Sequence, residues 1–180
     1  MTHAGGIDVG GTKCLGVVIA SDRDVTSEHN IIRQVRYPTP HADELVDTLA
    51  TLANELGEVE TIGVGVPGLI TLDGVMRASP NIPGSVDVAV GPELSERLGR
   101  RVWVDNDGNL AALAEWRFGA GRGAKNMWMV TLGTGIGGGH VLNGVVQRGV
   151  NGFAGEVGHI VVNPDGPRCG CGRKGCWEVY

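Results

Sequence analysis

The sequence predicts an α/β protein: a mixed five-stranded sheet with helices packed on it, followed by the start of a second, related unit. Three observations carry this. Apolar runs and helix-periodic segments follow the order three strands, helix, strand, helix, strand, helix, which is a meander leading into βαβ crossovers. The pattern strand, glycine turn, strand begins again after residue 125. Glycine, at 31 of 180 residues, shows no repeat and clusters at strand ends, where a backbone turns tightly or approaches a ligand closely.

Each element has its own signal. GGIDV (5–9) and CLGVVIA (14–20) are two apolar strands joined by Gly10-Gly11-Thr12-Lys13, a hairpin spacing with glycines in the turn. A third strand covers Ile31–Tyr37. Thr39-Pro40 reads as a helix N-cap followed by proline at the first helical position. Leu45, Val46, Leu49, Leu52, Ala53 and Leu56 then mark one face of a helix that Gly57 terminates. Residues 62–66 are a short buried strand ending in Pro67-Gly68. Pro92–Leu98 is a short helix stopped by Gly99, Arg101–Asp105 a strand, and Asn109–Phe118 a helix starting from Asn106-Asp107-Gly108. The polar, glycine-rich stretch 119–125 reads as a hinge, dividing the chain into domains 1–120 and 121–180. Beyond it, Met127–Leu132 is a strand and Gly133–Gly139 a loop. Strands 140–142 and 145–147 flank Asn143-Gly144, a strong two-residue hairpin signal. Residues 125–180 hold no helical pattern long enough to cover this new sheet, so the second domain is expected to be incomplete.

Composition narrows the function. The chain is 42% hydrophobic and 19% charged, with net charge −5. It has no basic stripe for nucleic acid and no apolar run of membrane-spanning length. Its first residues lack the charged-then-apolar pattern of a signal peptide, so a cytoplasmic protein is expected. Three of its four cysteines fall between 169 and 176. In a reducing compartment such a cluster reads as metal ligands, not disulfides.

Four motifs carry chemistry. In Asp8-Val9-Gly10-Gly11-Thr12-Lys13 the glycines let backbone N–H groups face an anion. Thr12 adds a hydroxyl, Lys13 a charge, and Asp8 an oxygen that holds Mg²⁺ through water. A plain hairpin turn has the same look when it stands alone. Thr131-Leu-Gly133-Thr134-Gly135-Ile-Gly137-Gly138-Gly139 contains G-x-G-x-x-G, but no helix follows, so this is not a dinucleotide fingerprint. Two strand–glycine turn–strand units, one per domain, instead suit clasping the phosphates of a nucleotide from both sides. In Asp105-Asn106-Asp107-Gly108, Asp107 sits between a strand and a helix. Alone it fits a helix N-cap, yet three polar residues at a strand's carboxyl end also fit a ligand site. Last, His159 with Cys169, Cys171 and Cys176 gives His-x9-Cys-x-Cys-x4-Cys, a closed tetrahedral donor set for structural Zn²⁺. Cys14 reads as a small core residue.

Together these residues resemble the ROK family of bacterial sugar kinases over essentially the whole chain. DVGGTK and TLGTGIGGG are similar to its two phosphate motifs, GEVGH…CGCGRKGCWE to its zinc and sugar signature, and VDNDGNLAALAEWRFGAGRG to its glucokinase branch. The resemblance implies an actin-like ATPase (ribonuclease H-like) fold and phosphorylation of the 6-hydroxyl of glucose by ATP with Mg²⁺. It implies Asp107 as catalytic base, Gly68, Asn81, Asn106, Glu156, His159 and Glu178 around the sugar, and Asp8, Gly10, Gly11, Thr12, Lys13, Gly133, Thr134 and Gly135 at ATP. Family members continue well past residue 180 and form homo-oligomers at full length, so a chain of this length is expected to be inactive alone. Three alternatives stay open: a sugar-sensing regulator, a non-catalytic sugar-binding protein, and a kinase for N-acetylmannosamine, fructose or allose.

Overall fold

A computed structural model describes residues 3–20, 30–133 and 135–180. By its internal contacts the chain divides into two compact units, 1–107 and 108–180.

The first unit is built on one five-stranded sheet. Strands β1 (His3–Val9), β2 (Lys13–Ala20) and β3 (Ile31–Pro38) form the antiparallel meander; β4 (Thr61–Val66) and β8 (Val102–Asn106) continue it in parallel. The order across the sheet is β3-β2-β1-β4-β8, the mixed sheet that the sequence predicts. Helices α1 (Leu45–Glu55) and α2 (Val90–Leu98) supply the crossovers. The periodic face of α1 forms the core: Leu45, Val46, Leu49, Leu52 and Ala53 are all buried, and Leu52 seats on Gly16 of β2. Complete burial of a leucine contributes about 1.5–3 kcal/mol, so Leu45, Leu49 and Leu52 alone account for much of this layer. Cys14 is fully buried in the same core. Gly57 and Gly99 close α1 and α2 with positive φ, 80° and 61°, as C-terminal caps require.

Three differences from the sequence reading have physical causes. Thr39-Pro40 does not start the helix; a 3₁₀ turn begins at Ala42, preceded by His41 with no side-chain cap. The Thr39 hydroxyl instead donates to the Gly10 carbonyl, 2.6 Å away. A small antiparallel sheet of β5 (Leu69–Ile70), β6 (Met76–Ala78) and β7 (Val86–Val88) lies between β4 and α2. Strands of two or three residues are too short to show a period of two, yet Ile70 and Met76 are fully buried. Helix α2 begins at Val90, two residues before Pro92, because Val90 joins the core.

The second unit comprises α3 (Asp107–Phe118, from Gly108 onward) and an antiparallel sheet of β9 (Met127–Leu132), β10 (Ile136–Leu142) and β11 (Val145–Val146). Asn143 and Gly144, with φ of 51° and 76°, make the expected hairpin turn. The glycine loop is shorter than its sequence suggests, because Ile136–Gly139 pair with Met129–Leu132 as part of β10. Glycines carry no side-chain alternation, so a strand made of them is silent to pattern reading. Residues 119–125 fold into turns held to α3, with the Trp116 indole donating to the Ala124 carbonyl at 2.7 Å. Trp128, Val130 and Leu132 share one face of β9 and are exposed, Leu132 at 78%. Among the described residues after 125, the only helical segments are two 3₁₀ turns, Val157–His159 and Trp177–Val179.

Candidate functional site

Strands β1, β4 and β8 run parallel, with Asp8, Gly65 and Asp105 at matching positions. Their carboxyl ends therefore open on one edge, where ligands of such sheets bind. The Gly10–Lys13 turn leaves β1 there. The Gly10 amide donates to the Lys13 carbonyl at 2.8 Å, and the Thr39 amide to the Thr12 carbonyl at 3.1 Å. The loop carrying Asn81 lies against this turn, its Cβ 3.5 Å from the place a Gly11 side chain would take. Buried Ser79 and Ser85 hold that loop: the Ser79 amide donates to Ser85 Oγ at 2.8 Å, and that hydroxyl donates to the Ser79 carbonyl at 2.9 Å.

Gly68 joins this loop to β8. Its φ is +98°, and a Cβ would stand 2.8 Å from Ser79 Cα and closer still to the Ala78 carbonyl oxygen. Only glycine fits such a backbone beside another backbone. Asn106 Nδ2 donates to the Gly68 carbonyl at 3.1 Å, and the Asn106 amide donates to Asp105 Oδ1 at 2.8 Å. Asp107 follows as the exposed first residue of α3. One line of contacts thus runs from Gly11 through Asn81, Ser79 and Gly68 to Asn106, with Asp107 at its end. Asp8 is exposed on the strand; partial desolvation by its surroundings raises its carboxyl above the ordinary range, and Lys13 opposes that rise.

In the second unit the Gly133 amide donates to the Gly135 carbonyl at 3.0 Å, making a tight turn. Thr134 lies outside the described residues. Gly135 faces Glu178, whose Oε2 is 2.8 Å from the place of a Gly135 Cβ. Glu178 Oε1 is 3.2 Å from Cys169 Sγ and 3.4 Å from His159 Nδ1. His159 Nδ1 faces Cys169 Sγ at 3.6 Å, while its Nε2 faces Glu156 Oε2 at 3.9 Å. A cleft of about 450 Å³ is lined by Phe153, Glu156, His159, Ile160, Cys171 and Arg173 among others, within the size range of small-ligand pockets.

The ligand atoms of His159, Cys169, Cys171 and Cys176 all lie within 4.8 Å of one another. Cys171 and Cys176 sulfurs are 3.6 Å apart; two thiolates on a tetrahedral zinc, with bonds of about 2.3 Å, stand about 3.8 Å apart. The donor set and its spacing therefore fit zinc. A narrow turn shapes this knuckle: the Cys169 amide donates to the Arg173 carbonyl at 2.8 Å and the Gly172 amide to the Cys169 carbonyl at 3.0 Å. Gly175, at φ +63°, leaves no room for a side chain, since a Cβ would sit 2.5 Å from the Asn163 carbonyl carbon. Without a metal the three thiols differ. At Cys169 the Cys171 backbone amide favours the thiolate, but desolvation and hydrogen bonding with Glu178, Cys171 and Cys176 outweigh it, and the thiol is pushed up to about 12. The Arg173 amide lowers Cys171, and desolvation raises Cys176.

The profile of the ROK family matches residues 4–180. The chain belongs to the ROK family. Among curated ROK relatives, the glucokinase of Streptomyces coelicolor is 37% identical over 180 residues, which cover 97% of this chain and 55% of that protein. The ROK hexokinase from Thermus thermophilus superposes with a TM-score of 0.82 at 40% identity, over 99% of this chain and 59% of that one. The ROK family glucokinase from Streptomyces griseus, solved in complex with glucose and AMPPNP, does so with a TM-score of 0.84 at 38% identity, over 99% and 56%. The chain thus spans about half the length of the relatives it matches, and its fold is the actin-like ATPase fold of ROK sugar kinases.

Within this ROK chain, the structure groups Gly10, Gly11, Thr12, Lys13 and Asn81 at one turn, and Gly68 with Asn106 and Asp107 beside it. In the second unit it groups Gly133, Gly135, Glu156, His159 and Glu178 with the three cysteines. Sequence reasoning missed Thr39, Ser79 and Ser85, which hold the first group in place. Their partners are distant in the chain or lie within a loop of unremarkable composition, so no motif marks them. Among the described residues no helix is long and apolar enough to cross a membrane.

Proposed function

We propose that this ROK protein is a cytoplasmic, homo-oligomeric sugar kinase that transfers the γ-phosphoryl of ATP to the 6-hydroxyl of glucose, with Asp107 as base. The observation that carries the reading is the arrangement at the β8–α3 junction. Asn106 is tied to the Gly68 loop, and Asp107 stands exposed beside it on the sheet edge that carries the Gly10–Lys13 turn. The kinship with a glucokinase that binds glucose and AMPPNP supports the choice of substrates.

Asp107 orients the primary hydroxyl and accepts its proton as phosphoryl transfer proceeds. An ordinary aspartate, with a pKa of about 4, is a weak base. The proton therefore leaves late, in a loose transition state, and much of the residue's effect is positioning. Asn106, Asn81, Glu156, His159 and Glu178 hold sugar hydroxyls, since carboxylates and amides make paired hydrogen bonds to neighbouring hydroxyls. The backbone of Gly10, Gly11, Gly133 and Gly135, with Thr12, Thr134 and Lys13, holds phosphate oxygens. Asp8 would be the residue that holds Mg²⁺, which would supply charge neutralisation at the phosphates. His159, Cys169, Cys171 and Cys176 would hold Zn²⁺, which would supply a structural clamp on the His159 ring and its tautomer.

Calorimetry with glucose on the 180-residue chain tests the sugar reading; absence of binding by a zinc-loaded sample defeats it. Little or no ADP release is expected from this chain alone, and turnover comparable to a complete kinase would contradict that expectation. The role of Asp107 is tested in a chimera joining residues 1–180 to the remaining part of the S. coelicolor glucokinase. There Asp107→Asn should lower kcat by about 10²–10⁴-fold, with a smaller change in the KM for glucose. An unchanged kcat removes Asp107 from the reaction.

A further inference from the structure

The four metal-site residues are not equivalent toward oxidants. Cys171 is exposed, whereas Cys169 and Cys176 are buried, Cys176 completely. The Cys171 sulfur lies 3.6 Å from that of Cys176. The buried Cys169 sulfur has further partners that hold it in place, His159 Nδ1 at 3.6 Å and Glu178 Oε1 at 3.2 Å. A disulfide requires its sulfurs to close to about 2.05 Å. Cys171 is able to make that movement, since a side chain at neighbouring Gly172 would meet nothing within 4 Å and the turn there faces open space.

We propose that Cys171 and Cys176 form a redox-sensitive pair: a hydroperoxide oxidises them to an intramolecular disulfide, and the metal leaves. The exposed Cys171 sulfur attacks the peroxide O–O bond, forming a sulfenic acid and releasing one water. The Cys176 sulfur then displaces the sulfenic oxygen, which leaves as a second water while the S–S bond forms. Counted from two thiols and hydrogen peroxide, the products are one disulfide and two waters. Two electrons pass from the sulfurs to the peroxide oxygens. Only Cys169 and His159 then remain as ligands, too few for a structural zinc site. The His159 ring loses its clamp, so the same event weakens sugar binding at the cleft it lines with Glu156. This inference rests on the proposed zinc site, and the experiment separates the two.

The zinc content of the purified 180-residue chain is measured first by elemental analysis. Hydrogen peroxide is then added with a chromogenic zinc chelator present, and the chain is mapped by mass spectrometry after alkylation and trypsin digestion. Cleavage after Arg168, Arg173 and Lys174 separates the peptide Cys169–Arg173 from the one starting at Gly175. The expected result is one zinc released per chain and a mass loss of two hydrogens. The two peptides should be linked, with fragmentation placing alkylated cysteine at 169 and the link at 171. Thiol reductant with added zinc should restore the metal and the glucose affinity. A link through Cys169, or oxygen adducts on the cysteines without a link, overturns the proposal. Zinc retained after the link has formed overturns the release step and with it the switch. A sample free of zinc before oxidation defeats the metal site, and the peptide map on that sample still decides the disulfide.

Discussion

Gly68→Ala is the substitution for which the structure gives the firmest expectation. Two costs add. A φ of +98° is a conformation that L side chains rarely adopt, and holding a non-glycine residue in such a region costs about 1–3 kcal/mol. The new Cβ would also lie 2.8 Å from Ser79 Cα and 2.9 Å from Ser79 Cβ, besides the Ala78 carbonyl oxygen. Two of these three obstacles are backbone, so a rotamer change cannot relieve them, and the Ser79–Ser85 loop must shift. Overpacking of this kind costs about 1–3 kcal/mol. Together about 2–6 kcal/mol is expected, and for a chain of this size each kcal/mol lowers Tm by about 2–4 °C. Urea denaturation followed by circular dichroism measures it. Gly63→Ala is the control, because its Cβ would meet nothing within 4 Å and its φ is not positive. In a strand that change is expected to be neutral or to stabilise by about 0.5–1 kcal/mol. Gly68→Ala within about 1 kcal/mol of wild type, or no different from Gly63→Ala, would refute the reasoning. In the chimera, the displaced loop should also raise the KM for glucose, since it carries Asn81 and abuts the carbonyl that Asn106 holds.

Other outcomes follow from the same geometry. Asp8 has its folded-state pKa raised, so its ionised form is less welcome in the fold than in the unfolded chain. That cost is fully present above the folded pKa and vanishes below the unfolded value of about 4. Asp8→Asn should therefore raise stability at neutral pH, with the gain fading as pH falls, while Mg²⁺-dependent turnover of the chimera drops; a gain that grows on acidification would show the sign to be wrong. Thr39→Val removes the hydroxyl donated to the Gly10 carbonyl and should cost about 0.5–1.5 kcal/mol. Thr39→Ser should retain most of that stability, which the same urea titration reads. Zinc removal by a chelator should release the amides of Cys169 and Gly175 to hydrogen exchange, while amides of α1 keep their protection. Unchanged exchange at both positions in zinc-depleted protein would show that the knuckle stands without metal.

Where burial leaves a period, the fold is legible in residue order. Leu45, Val46, Leu49, Leu52 and Ala53 all face the core as their spacing predicts, because one helix face excludes water along its whole length. Residues 62–66 and the Asn143-Gly144 hairpin are equally clear. The order β3-β2-β1-β4-β8 follows from a meander plus crossovers. Where the pattern is too short or carries no side chain, the reading fails. Strands β5 to β7 are two or three residues long, and the glycine stretch Gly137–Gly139 hides the first half of β10. Thr39 shows a third limit. A hydroxyl before a proline has the look of a helix cap, and nothing local reveals that its partner, Gly10, lies 29 positions away.

The site divides along the same line. The residue types, the two glycine turns and the His-x9-Cys-x-Cys-x4-Cys spacing are determined by the sequence alone, since donor chemistry and local turn geometry reside in neighbouring residues. Only the tertiary structure decided which of these groups meet. Parallel pairing of β1, β4 and β8 brings the Gly10–Lys13 turn and the Gly68–Asn106 contact to one edge. Tight packing around Gly175 gathers three thiols and an imidazole within 4.8 Å. It also decided that Cys171 is exposed while Cys169 and Cys176 are buried. That difference depends on what surrounds each sulfur in space, and the spacing of the three cysteines along the chain contains no trace of it.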